Sequence, residues 1–189
     1  GSSARPSEFR YGVASGDPLT DRVILWTHAR IADSSAAVGL SWQVAANAGF
    51  DTLIASGRAA ATADTGFTVK VDASGLSAGT AYFYRFIDDA GVVSPVGTTR
   101  TLPKSDVSAV KFALFSCSLY SAGYFNAYDA AAKSDAQYAL HLGDYIYERA
   151  WRFAREGADV DPIFLEEAYG VTGYRLLYAQ AKAEQPLQA

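Results

Sequence analysis

Six runs of strand-forming residues, at positions 22–27, 38–45, 53–61, 67–71, 81–88 and 92–101, are separated by turn-forming residues at intervals too short for a long helix. Runs of this length and spacing build antiparallel β-sandwiches, and six or seven strands are expected. Side chains alternate along a strand, which places Tyr82, Tyr84 and Phe86 on one face of the fifth run. Glutamate is nearly absent here, Glu8 being the only one before position 148, while Gly, Thr and Val are crowded into this part. Strands therefore come first along the chain and helices later.

The segment Leu76-Ser77-Ala78-Gly79-Thr80-Ala81-Tyr82 resembles the tyrosine corner of β-sandwich domains and predicts a hydrogen bond from Tyr82 back to its own loop. Leu102-Pro103-Lys104-Ser105-Asp106 is the natural boundary, since Pro103 ends strand pairing and the polar stretch offers few apolar contacts. This divides the chain into residues 1–103 and 104–189. Beyond it, 110–115 is an apolar run suited to a strand covered on both faces. A segment at 124–133 follows, with Phe125, Tyr128 and Ala132 at helical spacing, and then a second apolar run at 138–142. This reads as a βαβ unit, whose parallel strands open their carboxyl ends on one sheet edge. Cys117 and Asp144 are thereby expected to emerge close together.

After Glu148 come Trp151, Arg152, Phe153 and Arg155, read first as a solvated helix face and second as an anion contact. A helix is expected over 174–184, with Thr172 as its cap and Pro186 as its stop. Two parallel strands do not make a stable sheet alone, so residues 104–189 are expected to begin a larger domain or to pack on another polypeptide. The absence of Met points to a chain that belongs to a longer product.

Half of the 189 residues are apolar and 19% are charged, enough to bury a core and too little charge to favour disorder. The net charge of -4 without a basic run excludes nucleic acid as a standing partner. No apolar stretch reaches the length of a membrane span and no leader pattern is present. With one cysteine, Cys117, there is no internal disulfide; with two histidines, His28 and His141, a His-rich metal site is excluded, and His28 is expected at the surface. The chain lacks G-x-S-x-G, Walker A and C-x-x-C elements, and Glu166 and Glu167 do not suggest a paired-carboxylate glycosidase site.

The segments Phe115-Ser116-Cys117-Ser118 and His141-Leu142-Gly143-Asp144-Tyr145-Ile146-Tyr147-Glu148 sit where ligands bind an open α/β sheet. A thiolate, a carboxylate and a phenol converging there form a metal-ligand set, with Gly143 expected to let the backbone approach closely. A phenol ionises at neutral pH only beside a strong Lewis acid, which points to ferric iron rather than magnesium. Each residue also has a plainer reading. Cys117 can be a small buried hydrophobe, Gly143-Asp144 a turn, Tyr147 a packing aromatic, and His141 a hydrogen-bonded core histidine rather than a group supporting the ligands.

Taken together, Phe9 to Pro18 (FRYGVASGDP), Val23-Ile24-Leu25-Trp26-Thr27, Phe115-Ser116-Cys117, Gly123-Tyr124-Phe125 and His141 to Glu148 (HLGDYIYE) resemble the PhoD-type alkaline phosphatase and phosphodiesterase family of the metallophosphatase superfamily. The resemblance runs from residue 9 to 189. It implies a fibronectin III-like or immunoglobulin-like all-β sandwich, followed by the start of an α/β metallophosphatase domain (α/β/β/α) truncated before its end. It further implies that Cys117 and Tyr147 ligate ferric iron and that Asp144 bridges iron and calcium or another divalent second metal, with Asp144 in the catalytic centre and His141 and Gly143 supporting it. The implied reaction is hydrolysis of a phosphate ester by a metal-activated oxygen nucleophile, in a secreted or periplasmic enzyme. The later ligands would lie in a missing C-terminal part of the same protein, without which the chain is expected to be inactive. His28 and Gln137 stand where the family commonly has arginine and aspartate. The alternative is a non-catalytic binding or structural module, a β-sandwich joined to an incomplete catalytic remnant.

Overall fold

The computed structural model describes residues 7–105, 107–148 and 170–188, and the chain divides into two units, residues 1–108 and 109–189. Nine strands are described in the first: β1 (Ser7–Glu8), β2 (Val13–Gly16), β3 (Arg22–His28), β4 (Arg30–Ile31), β5 (Val38–Ala45), β6 (Leu53–Ala61), β7 (Thr68–Ser74), β8 (Ala81–Asp88) and β9 (Gly97–Arg100). They form an antiparallel sheet in the order β2-β3-β7, another in the order β6-β5-β8-β9, and a short β1-β4 pair. Period-two patterning explains the burial. Val23, Leu25 and Thr27 of β3 point inward, as do Tyr82, Tyr84 and Phe86 of β8, and they join Leu40, Val44, Val69 and Ala73 in one core shared by the two larger sheets.

The tyrosine corner is present: the Ser77 N–H donates to the Tyr82 hydroxyl at 2.8 Å, and the Thr101 hydroxyl donates to the Ser77 carbonyl at 2.6 Å. The expected strand at 92–101 is shorter than its apolar run, beginning only at Gly97. Pro95 lacks an N–H for the ladder, and Val93 makes a lone bridge to Ile87. His28 is not a surface residue. It is half-buried between Tyr11 (centroids 4.6 Å apart) and Phe67, with its Nδ1 buried, and burial lowers its pKa.

The second unit contains β10 (Phe112–Phe115), α1 (Asn126–Ala132), β11 (Tyr138–His141), α2 (Gly170–Lys182) and α3 (Gln185–Gln188). β10 and β11 are parallel, with Phe112 opposite Tyr138 and Phe115 opposite His141, and α1 lies between them in sequence. The Lys111 ammonium pairs with the Asp135 carboxylate beside the strand starts. Two expectations for the tail are revised. Thr172 lies inside α2 rather than capping it, and Pro186 stands in the first turn of α3, where its missing N–H costs no helical hydrogen bond. The expectation that β10 is covered on both faces also fails: Phe112 is 52% and Leu114 62% exposed, and Leu140 and Leu142 are exposed as well. Among the described residues of this unit only Phe125 and Ala181 are buried hydrophobics. Two strands and a few short helices have too little surface to bury both faces of the sheet. The Trp151–Arg155 cluster, Glu166 and Glu167 lie outside the described residues. No helix among the described residues is long and apolar enough to cross a membrane.

Two features of the first unit generate predictions. Gly97 faces Tyr84 across β8 and β9, and a Cβ there would run into the buried phenol ring. Gly97→Ala is expected to destabilise this unit by about 1–3 kcal/mol in urea unfolding, through overpacking. The Asp88 carboxylate is buried, which by itself raises its pKa. It accepts hydrogen bonds from the Ser7 N–H and hydroxyl, the Ala90 N–H and the Val92 N–H, and these hold the pKa below the ordinary carboxylate value. A depressed folded-state pKa contributes stability at neutral pH that is lost as pH falls from the ordinary carboxylate value through the lower folded one. Asp88→Asn is expected to flatten that acid limb of the stability curve, measured as urea midpoints between neutral and acidic pH.

Candidate metal centre

Where the parallel pair ends, its hydrogen bonding does not. The Leu142 N–H donates to the Phe115 carbonyl at 2.7 Å, the Cys117 N–H to the Gly143 carbonyl at 3.1 Å and the Ser118 N–H to the Asp144 carbonyl at 2.8 Å. The two loops leaving the carboxyl edge are thus stitched together for several residues past the strands. The backbone bends sharply to allow it: Cys117 has φ 58°, Gly143 φ 128° and Asp144 φ 55°. Two non-glycine residues in the left-handed region store strain of order 1 kcal/mol or more each. Gly143 serves a different purpose from the one its sequence context suggested. A Cβ there would meet nothing within 4 Å, so close backbone approach is not what requires glycine; its φ is.

These bends bring three of the sequence-predicted residues together. The Cys117 thiol donates to Asp144 Oδ2 at 3.5 Å, and the Tyr147 hydroxyl is hydrogen-bonded to both the Cys117 and Asp144 side chains. Partial burial, these hydrogen bonds and the neighbouring negative charge of Asp144 push the Tyr147 pKa up to about 12. Cys117 is a free, exposed cysteine in this chain. Among the described residues no cluster of three or more His, Cys, Asp or Glu side chains is placed to hold a cation. Beside Cys117, a groove of about 480 Å³ is lined in part by Leu114, Leu119, Tyr124, Phe125 and Tyr128.

His141 lies beside Cys117, Asp144 and Tyr147 rather than among them. Its Nε2 is 3.0 Å from the Ser118 hydroxyl and 3.0 Å from the Tyr128 hydroxyl, and those two hydroxyls are 2.6 Å apart. On the other side of the ring, the Gly143 N–H donates to Nδ1 at 3.4 Å. Phe115 packs at a tilt against Tyr128 with centroids 4.5 Å apart. Burial lowers the His141 pKa, partly offset by the Asp144 charge. Sequence reasoning missed Ser118 and Tyr128. Tyr128 carried only the signal of a helical apolar face, and its meeting with Ser118 and His141 depends on the crossover.

The family described as "PhoD-like phosphatase, N-terminal domain" matches residues 1–103, and that described as "PhoD-like phosphatase" matches residues 112–189. The chain belongs to the PhoD-like phosphatase family. It is similar to alkaline phosphatase D of Bacillus subtilis (strain 168), at 36% identity over 96% of this chain and 32% of that protein. A solved structure titled "Structure of PhoD" matches 98% of this chain and 37% of its own, at 34% identity and a TM-score of 0.88. The chain therefore spans about a third of the length of these PhoD-like relatives.

The raised Tyr147 pKa gives a direct test of the cluster. Near-ultraviolet pH titration of the metal-free chain, with Tyr147→Phe as the reference, is expected to assign to Tyr147 a phenol that ionises near pH 12. A difference spectrum that titrates near the ordinary tyrosine value of about 10 would contradict the close contact with Asp144.

Proposed function

We propose that this chain carries the amino-terminal part of a metal-dependent phosphoric ester hydrolase, a fibronectin-like sandwich followed by the opening βαβ unit of a metallophosphatase domain. The observation that carries the reading is the convergence of a thiol, a carboxylate and a phenol at the carboxyl edge of the parallel pair, in a chain of the PhoD-like phosphatase family.

The donor set fits ferric iron. Soft thiolate and hard phenolate and carboxylate oxygens suit it, and the three side chains now share hydrogen bonds whose protons a cation would replace. Cys117, Asp144 and Tyr147 would hold the iron, and Asp144, with two carboxylate oxygens, would also reach calcium or another divalent second ion. When bound, such ions lower the pKa of coordinated water and neutralise charge on a phosphate ester. The chain's own residues prepare for this. Asp144 turns its carboxylate toward the Cys117 thiol, Tyr147 would give up its proton to hold a cation there, and the left-handed turns keep Cys117 and Asp144 facing one another.

The exposed row of Phe112, Leu114, Leu140 and Leu142 supports a further part of the reading: the remaining length of the enzyme covers this sheet and supplies the other ligands. On its own the chain then binds iron weakly and turns over no ester. Ferric iron added to the chain is expected to give a visible charge-transfer band that Tyr147→Phe and Cys117→Ala each weaken. In a protein of the family's full length, Asp144→Asn is expected to abolish metal binding and ester hydrolysis. A colourless titration, or unchanged hydrolysis of a phosphate diester in that variant, would contradict the proposal.

A further inference from the structure

We infer that the hydrogen-bonded triangle of Ser118, Tyr128 and His141 is the positioning element that sets Cys117 and Asp144 against one another. The inference deepens the metal-centre reading and rests on it for its relevance to catalysis, though the positioning itself is a property of the metal-free chain.

The argument starts from strain. Cys117 and Asp144 both hold left-handed backbone conformations that a side chain disfavours. Their loops are joined by two backbone hydrogen bonds, from the Cys117 and Ser118 amides. In exposed loops such bonds compete with water and are worth about 1 kcal/mol each. Two of them do little more than offset the strain, and the Cys117–Asp144 side-chain bond is a long one at 3.5 Å, so further contacts are needed to keep the loops closed.

The triangle is placed to do so because its three members come from three different elements. Ser118 follows Cys117 directly in the loop after β10. His141 ends β11, three residues before Asp144. Tyr128 comes from α1, outside both loops. One set of contacts, 2.6, 3.0 and 3.0 Å long, therefore ties both loops to a helix. The proton arrangement is biased by the loop itself. The Gly143 N–H donates to His141 Nδ1 at 3.4 Å, a contact that favours the tautomer of a neutral ring with its hydrogen on Nε2, facing the two hydroxyls. Gly143 is thus read by the ring on one side while Ser118 and Tyr128 are read on the other. Phe115 lies roughly parallel to the ring at a centroid distance of 6.5 Å, Tyr145 meets it edge to face at 5.1 Å, and Phe115 also packs on Tyr128. Removing the Tyr128 hydroxyl leaves this aromatic packing in place and deletes two sides of the triangle. Groups that orient metal ligands in this way typically contribute 10–100-fold to affinity.

The test uses the 189-residue chain with Tyr128→Phe, Ser118→Ala and Ser118→Thr, the last keeping a hydroxyl at the same place. Amide hydrogen exchange, measured without metal, is expected to speed up about tenfold or more at Cys117 and Ser118 in Tyr128→Phe and Ser118→Ala, and to return toward the parent rate in Ser118→Thr. Amides within β10 and β11 are expected to keep their rates. In parallel, apparent ferric affinity, read from the visible band, is expected to fall about tenfold in the first two variants. Unchanged exchange at Cys117 and Ser118 in both variants would overturn the inference, and so would equal acceleration throughout β10 and β11, which is the mark of a general packing role. If the parent chain takes up no ferric iron, the metal reading falls, while the exchange comparison still decides whether the triangle positions the loops.

Discussion

Two backbone hydrogen bonds, from the Cys117 amide to the Gly143 carbonyl and from the Ser118 amide to the Asp144 carbonyl, continue the pairing of β10 and β11 past the point where both strands have ended. Parallel strands open their carboxyl ends on one edge, and that alone brings two loops into the same neighbourhood. It does not bring a thiol within 3.5 Å of a carboxylate. The extra bonds do, by forcing Cys117 and Asp144 into left-handed conformations that turn their side chains toward each other and toward Tyr147. The candidate chemistry of the chain depends on this short irregular ladder and on the side chains that keep it closed.

The two units hold themselves together differently. In the first, period-two burial from both larger sheets feeds one core, and polar tethers such as Asp88 with Ser7 and Tyr82 with Ser77 are buried and satisfied. Such a unit is stable through apolar burial in the ordinary way. In the second, Phe112, Leu114 and Leu140 of a parallel pair stand exposed, and aromatic contacts among Phe115, Phe125, Tyr128, His141 and Tyr145 supply much of the local order. The part that carries the candidate site is thus the part with least apolar burial of its own. That matches a chain that spans about a third of its relatives' length.

Much of this was legible in the sequence because it rests on local rules. Alternation named the inward residues of β8, the 76–82 segment announced the tyrosine corner, and two apolar runs flanking a helical segment announced the parallel pair. The misreadings have physical causes. Pro95 shortens the last strand of the first unit, Pro186 starts a helix turn where it was expected to end one, and His28 is drawn inward by a tilted ring contact with Tyr11 that no periodicity encodes. At the site, the residue types pointed to Cys117, Asp144 and Tyr147, but the reason for Gly143 is a torsion angle rather than space. The Ser118–Tyr128–His141 contacts were invisible, since they join residues that only the crossover brings together.

The claim that matters most is that a cysteine sulfur and its two oxygen-bearing neighbours hold a metal at this edge. X-ray absorption at the iron edge of the ferric-loaded protein tests it most directly, because sulfur and oxygen neighbours scatter differently. The account predicts one sulfur neighbour among oxygens, lost in Cys117→Ala while the oxygen shell persists. An iron environment of oxygen and nitrogen alone in the parent protein, or one unchanged by Cys117→Ala, would contradict it.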